Sequence, residues 1–146
     1  MFKSIVVGSD GSHTSSLAVK RAAELAKTCD AQLHIVNVCK PASTAMAAPE
    51  AMAMAALSHV GEDAQKQVAQ DLEHAASMAK REGVEVETHG RIGDPASVIL
   101  QLAEDTSADL IIVGNRGMKG ARRILGSVPN AIAHRADCAV MIVPTF

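Results

Sequence analysis

Four short stretches are so dense in valine and isoleucine that few architectures can hold them: SIVVG (4–8), LHIVNV (33–38), DLIIVG (109–114) and AVMIVP (139–144). Their apolar residues run on rather than alternate. Strands of that kind must be covered on both faces, as the strands of a parallel sheet are. A fifth stretch, VEVET (84–88), alternates and reads as a more exposed strand. Helical patterns fill the gaps. After Ser12, the stripe Ala18, Ala22, Leu25, Ala26 keeps one face of a helix apolar. A longer stripe runs from Leu57 through Val60, Ala64, Val68, Leu72 and Ala75 to Ala79. Asp94-Pro95 joins an N-cap carboxylate to a proline at the first helical position, ahead of Val98, Ile99 and Leu102. Ser127 reads as the cap of a last short helix carrying Ile132.

Strand and helix therefore alternate along the whole chain, which predicts an α/β fold, a single doubly wound domain over residues 1–146 with a five-stranded parallel sheet and helices on both faces. Residues 40–56, KPASTAMAAPEAMAMAA, show no clear period and read as a mobile surface linker. A helix over the second half, EAMAMAALSHV (50–60), is the alternative.

Composition narrows the function classes. The chain has no Trp or Tyr and two Phe, so aromatic platforms for stacking the bases of single-stranded nucleic acid are lacking. With a net charge of −2 there is no global basic field to draw DNA or an anionic membrane surface. Neither is expected as a partner. Cys29, Cys39 and Cys138 are dispersed and form no C-x-x-C pair, which fits reduced thiols. The opening MFKSIVVGSD reaches charge and glycine too early for a signal peptide, and no apolar run nears the ~18 residues of a membrane helix. A cytoplasmic location is the expectation.

The most informative stretch is GNRGMKGARRILGSVPN (114–130). Gly114, Gly117, Gly120 and Gly126 place four of the chain's ten glycines within 13 positions, with arginines and a lysine among them. Exposed backbone N–H groups beside cations suit an anion, and phosphate is the commonest one. A second polar loop, GSDGS (8–12), leaves the first strand. If strands one and four are neighbours, the two loops face each other across a crevice at the carboxyl edge of the sheet. Asp10 can then offer its carboxylate to a ribose diol, while the N–H groups near Gly117, Gly126 and Ser127 meet phosphates. Neither a P-loop nor a dinucleotide fingerprint occurs, so those two phosphate motifs are excluded.

The pattern Gly114-x2-Gly117-x8-Gly126-Ser127 after a hydrophobic strand resembles the universal stress proteins, as do VVGSDGS near the start and CAVMIVP near the end. The likeness extends over essentially the whole chain. It implies the strand order 3-2-1-4-5 and an adenine-nucleotide-binding, stress-response regulatory module. ATP is the first choice of ligand and AMP or cAMP the alternative. Mg2+ would accompany ATP. On this resemblance Asp10 holds the ribose and the backbone at Val38 contacts the adenine. Gly114, Gly117, Gly126, Ser127 and Val128 line the phosphate loop, Arg116 contacts phosphate, and Val7, Gly8 and Ser9 form the nearby floor. The interval before Gly126 is one residue shorter than the family's usual spacing, which hints at a tighter phosphate pocket. The intact Gly and Gly-Ser motif keeps ATP ahead.

No nucleophile, base and orienting group can be assembled from the sequence, so catalytic residues are not assigned and at most slow ATP hydrolysis or self-phosphorylation is expected. A nucleotide-free interaction domain is the remaining reading. The histidines at 13, 34, 59, 74, 89 and 134 show no metal-ligand spacing and read as surface or core residues, with no metal site expected. Last, CAVMIVPTF (138–146) places an apolar strand at the sheet edge, with no lysine to discourage pairing. A homodimer joined through that strand, covering Val140 and Ile142, is the expectation. The alternative has Thr145 and Phe146 fold back over the edge.

Overall fold

The computed structural model of the protein describes residues 1–40, 50–115 and 127–145. Strands β1 (Ser4–Gly8), β2 (Gln32–Cys39), β3 (Val86–Ile92), β4 (Leu110–Gly114) and β5 (Ala139–Val143) form one all-parallel sheet. Its order is β3-β2-β1-β4-β5, as expected. The described helices are α1 (His13–Cys29), α2 (Glu50–Arg81), α3 (Pro95–Asp105) and α4 (Ser127–Arg135). None of them is long and apolar enough to cross a membrane.

Local chemistry sets where these helices begin. Ser12 stays extended and its hydroxyl accepts a hydrogen bond from the Ser15 N–H at 3.1 Å, satisfying one of the orphan donors of α1. Asp94 does the same for α3 through the Ser97 N–H at 3.0 Å, with Pro95 in the first turn. At the far end of α1, Asp30 turns left-handed at φ 54° and sends its N–H back to the last turn.

The unbroken apolar runs are explained by a core on each side of the sheet. Ile5, Val7, Leu33, Ile35, Leu110 and Ile112 point to α1 and α2, where Ala18, Ala22, Ala26, Leu72 and Ala79 meet them. Val6, Val36, Ile111 and Val113 point the other way, against Ile99 and Leu102 of α3 and Ile132 of α4. Full burial of each of these branched side chains is worth about 1.5–3 kcal/mol. Together they outweigh any local preference of the segments.

Two expectations about elements need correcting. The third strand spans Val86–Ile92 rather than 84–88, and runs on through Thr88, His89, Gly90 and Arg91. An edge strand is held by its backbone pairing, here Leu33↔Val86 to Cys39↔Ile92, and can carry polar side chains that a central strand could not. The linker reading of 40–56 also fails over its second half, because α2 begins at Glu50. Alanine, methionine, leucine and glutamate are strong helix formers even without an amphipathic period. Residues 41–49 lie outside the described residues.

Candidate functional site

From β1 the chain winds to β2 and β3 on one side, and later adds β4 and β5 on the other. The winding reverses between β1 and β4, which pair through Ile5↔Leu110 to Val7↔Ile112. Ligands of open α/β sheets sit outside the carboxyl ends of the strands at such a point. A cavity of about 460 Å³ opens there, on the side covered by α3 and α4.

Each wall comes from a different segment. Gly8, Ser9 and Asp10 leave β1, Val38 and Lys40 end β2, and Gly114 ends β4. Ser127 and Val128 come from the first turn of α4, where N–H groups and the positive end of the helix dipole favour an anion. Ile99 of α3 and Val113 of β4 supply apolar wall. The structure thus gathers Gly8, Ser9, Asp10, Val38, Gly114, Ser127 and Val128, all expected site residues, around one cleft. Val7 does not line it: its side chain is fully buried on the α1/α2 side. Arg116, Gly117 and Gly126 lie outside the described residues, as do Arg122 and Arg123.

Gly8 is a glycine for reasons of space. A Cβ there would lie 3.1 Å from Ile99 Cδ1 and 3.7 Å from Val113 Cγ1, both in the cleft wall. Gly11 is a glycine for reasons of backbone, at φ 76°, and the Asp71 carboxylate occupies the place its Cβ would take. Asp10 makes the turn between them. Its Oδ1 accepts from the N–H of Ser12 at 3.0 Å and from the Ser12 hydroxyl, so Ser12 is the helix cap and Asp10 an Asx-type turn residue. Asp10 is itself exposed at the mouth of the cleft.

Three residues were missed from sequence. Lys40 is the described cation of the cleft, and its place two residues beyond Val38 at the carboxyl end of β2 is the signal that could have found it. Ser15 lines the same cleft one turn into α1 and lies 3.4 Å from the Ser9 hydroxyl. Asp71 of α2 braces the Gly11 turn from outside the cleft, held by Asn37 at 3.4 Å and Gln67 at 2.9 Å. Its partners are set by tertiary packing, and no local pattern marks it.

Asp94 sits close by but is committed to its helix. The Ser97 N–H and hydroxyl bond its carboxylate and hold its pKa below the usual value. The cysteines are free; Cys138 is half-buried, and desolvation pushes its thiol pKa up, away from reactivity at neutral pH. A larger cavity, about 900 Å³, runs between α2 and β3, lined by residues such as Leu72, Lys80, Thr88 and Ile92. Among the described residues its lining includes neither Gly114 nor Ser127, and it lies away from the reversal of the winding, so the smaller cleft carries the functional argument.

The terminal segment is placed as well. Thr145 is buried, and its N–H and hydroxyl both bond Asn115 Oδ1, at 3.1 and 2.8 Å. That ties the chain end to the start of the glycine loop instead of folding it over the sheet edge; Phe146 lies outside the described residues.

The geometry agrees with known proteins. The model of the universal stress protein family matches residues 1–144. A Bacillus subtilis relative, universal stress protein YxiE, is 32% identical over 98% of this chain and 99% of its own. Universal stress protein Rv1636 of Mycobacterium tuberculosis is 34% identical over 99% and 97%. A universal stress protein solved in complex with cAMP superposes with a TM-score of 0.75 at 31% identity, over 99% of this chain and 98% of that one. The chain therefore belongs to the universal stress protein family.

Proposed function

We propose that this protein is a stress-response module that binds an adenine nucleotide in the cleft between β1 and β4. The observation that carries the reading is the convergence of GSDGS, the end of β2, Gly114 and the first turn of α4 on one cavity at the reversal of the winding. The relative at 31% identity was solved with cAMP, which supports the ligand class. In this reading the Asp10 carboxylate takes the ribose hydroxyls and the backbone at Val38 meets the adenine. The phosphates lie toward Gly114, Lys40 and Ser127, with Arg116, Gly117 and Gly126 completing the phosphate loop.

The role of Asp10 can be separated from its part in the turn. Asp10→Asn keeps an oxygen for the Ser12 N–H but removes the charge. A lost charge-assisted hydrogen bond costs about 1.5–3 kcal/mol, so affinity for ATP or cAMP should fall roughly ten- to a hundredfold with the thermal midpoint little changed. Affinity unchanged from wild type in both Asp10→Asn and Asp10→Ala, measured by calorimetry, removes Asp10 from the site. Competition between ATP and cAMP ranks the two. Adenine nucleotide released from the denatured, freshly purified protein tests the class.

The protein is also proposed to form a homodimer through β5. That strand ends the sheet and pairs on one side with β4, leaving a row of backbone groups on the other among the described residues. Val140 and Ile142 do not point outward as expected, because both pack against the α3/α4 core. The exposed side is Met141, which is 38% accessible and sits in a shallow depression with Leu25, Arg21 and Thr28 of α1. Met141→Lys is accordingly the sharper test, since a charge at 142 would enter the protein's own core. Light scattering should show a dimer in the wild type at tens of micromolar and a monomer in Met141→Lys; a monomeric wild type refutes the assignment.

A further inference from the structure

We propose that His34, Glu87 and His89 form a binding site for one divalent transition-metal ion of the zinc class, bridging the edge strand β3 and its neighbour β2. The inference is independent of the nucleotide cleft. No local pattern marks it, because His34 lies more than fifty residues from the other two donors. The sheet register assembles them. His34 pairs with Glu87 and Val36 with His89, so residues 34, 87 and 89 all face the side on which α3 packs. On that face His34 is buried, His89 is nearly so, and the Glu87 side chain is 60% accessible, which leaves an entry path from solvent.

The spacing of the donor atoms suits a metal ion. His34 Nδ1 and His89 Nε2 are 3.1 Å apart, and the two Glu87 oxygens lie 3.6 Å from the first and 3.8 Å from the second. Zinc–nitrogen bonds of 2.0–2.1 Å in a tetrahedron put neighbouring donors roughly 3.3–3.4 Å apart. Glu87 Oε2 is the oxygen near His34 and Oε1 the one near His89, and one donor atom from each residue fits within 4.8 Å, so a rotation of the exposed Glu87 carboxylate that brings one oxygen toward both rings closes the set. Two imidazoles with one carboxylate select zinc, copper or nickel over magnesium or calcium, which prefer oxygen. Three protein ligands also leave a fourth position for water.

The protonation state is favourable. Burial holds both imidazoles below their usual pKa despite the Glu87 charge, and Arg91 further disfavours a proton on His89. A metal ion takes the neutral form of an imidazole, whose ring nitrogen then has a free lone pair. Without metal, one ring donates its N–H to the other across the 3.1 Å contact. Binding moves that proton to the second nitrogen of the same ring, so no net proton is lost from the pair. Glu87 offsets one of the two positive charges of the ion. The bond network would clip the edge strand to its neighbour, and so should raise stability.

The test uses the full-length protein dialysed against chelator and then titrated with Zn2+ by calorimetry and with Co2+ by visible absorption. We expect uptake of one ion per chain, a cobalt spectrum of tetrahedral type, and a thermal midpoint that rises with Zn2+. His89→Ala and Glu87→Gln should each weaken Zn2+ binding about tenfold or more and lessen the Zn2+-dependent rise in midpoint. His34 is buried and its replacement can unfold the chain, so the two more accessible ligands decide the matter. No saturable uptake by the wild type overturns the proposal, and so does unchanged uptake in both His89→Ala and Glu87→Gln.

Discussion

Replacing Gly8 by valine is expected to abolish nucleotide binding in a protein that still folds. Gly8 closes β1 inside the cleft with ordinary strand geometry, so backbone strain is not the issue. Space is. The first added carbon lies 3.1 Å from Ile99 Cδ1, tighter than packed carbons tolerate, and the two valine methyls must then fit among Ile99, Val113 and whatever ligand the cleft holds. Overpacking of this kind costs about 1–3 kcal/mol of stability, which a domain with ~5–15 kcal/mol survives. Loss of affinity for ATP and cAMP should reach on the order of a hundredfold, equivalent to about 2.7 kcal/mol. Gly8→Ala should fall between, because Ile99 can yield by a few tenths of an ångström. Calorimetric titration of the folded variants checks this, and undiminished affinity in Gly8→Val would move the ligand out of the β1/β4 cleft.

The largest loss of stability is expected from Ile112→Ala. Ile112 is fully buried on β4, between Val7 of β1 and Met141 of β5, and faces the core built against α1 and α2. Its removal takes away transferred apolar surface and leaves a cavity in a sheet that cannot collapse around it, a cost of about 2–5 kcal/mol. For a domain of this size that lowers the melting temperature by roughly 5–20 °C. Because Ile112 points away from the cleft, nucleotide affinity measured well below the transition should stay within a few-fold of wild type. A loss under about 1 kcal/mol in urea titration would mean that α1 does not press on the sheet here.

Much of the fold was legible because its strands are buried on both sides. SIVVG, LHIVNV, DLIIVG and AVMIVP all became strands within a residue or two of their expected limits. Asp94 was readable as a cap, since a capping side chain acts on N–H groups only two or three residues away. The cleft was legible in part: its glycines and Asp10 lie in short loops at strand ends, where a turn residue is conspicuous. Lys40 was overlooked because a lone lysine after a strand is ordinary until the cleft beside it is seen.

What the amino-acid order determined by itself was local: which segments are strands, where helices start, and the loops that can approach a phosphate. Tertiary structure alone decided which way each side chain faces. A strand that is apolar throughout carries no alternation to mark its two sides, so Val7 against Gly8, or Ile142 against Met141, could not be assigned from sequence. Edge strands gave the opposite difficulty. In β3 backbone pairing with β2 carries the polar residues from Thr88 to Arg91 into the sheet, and the same register sets His34 beside Glu87 and two residues from His89. Such contacts depend on the alignment of distant segments, which is decided when two cores close on one sheet and no single segment can specify.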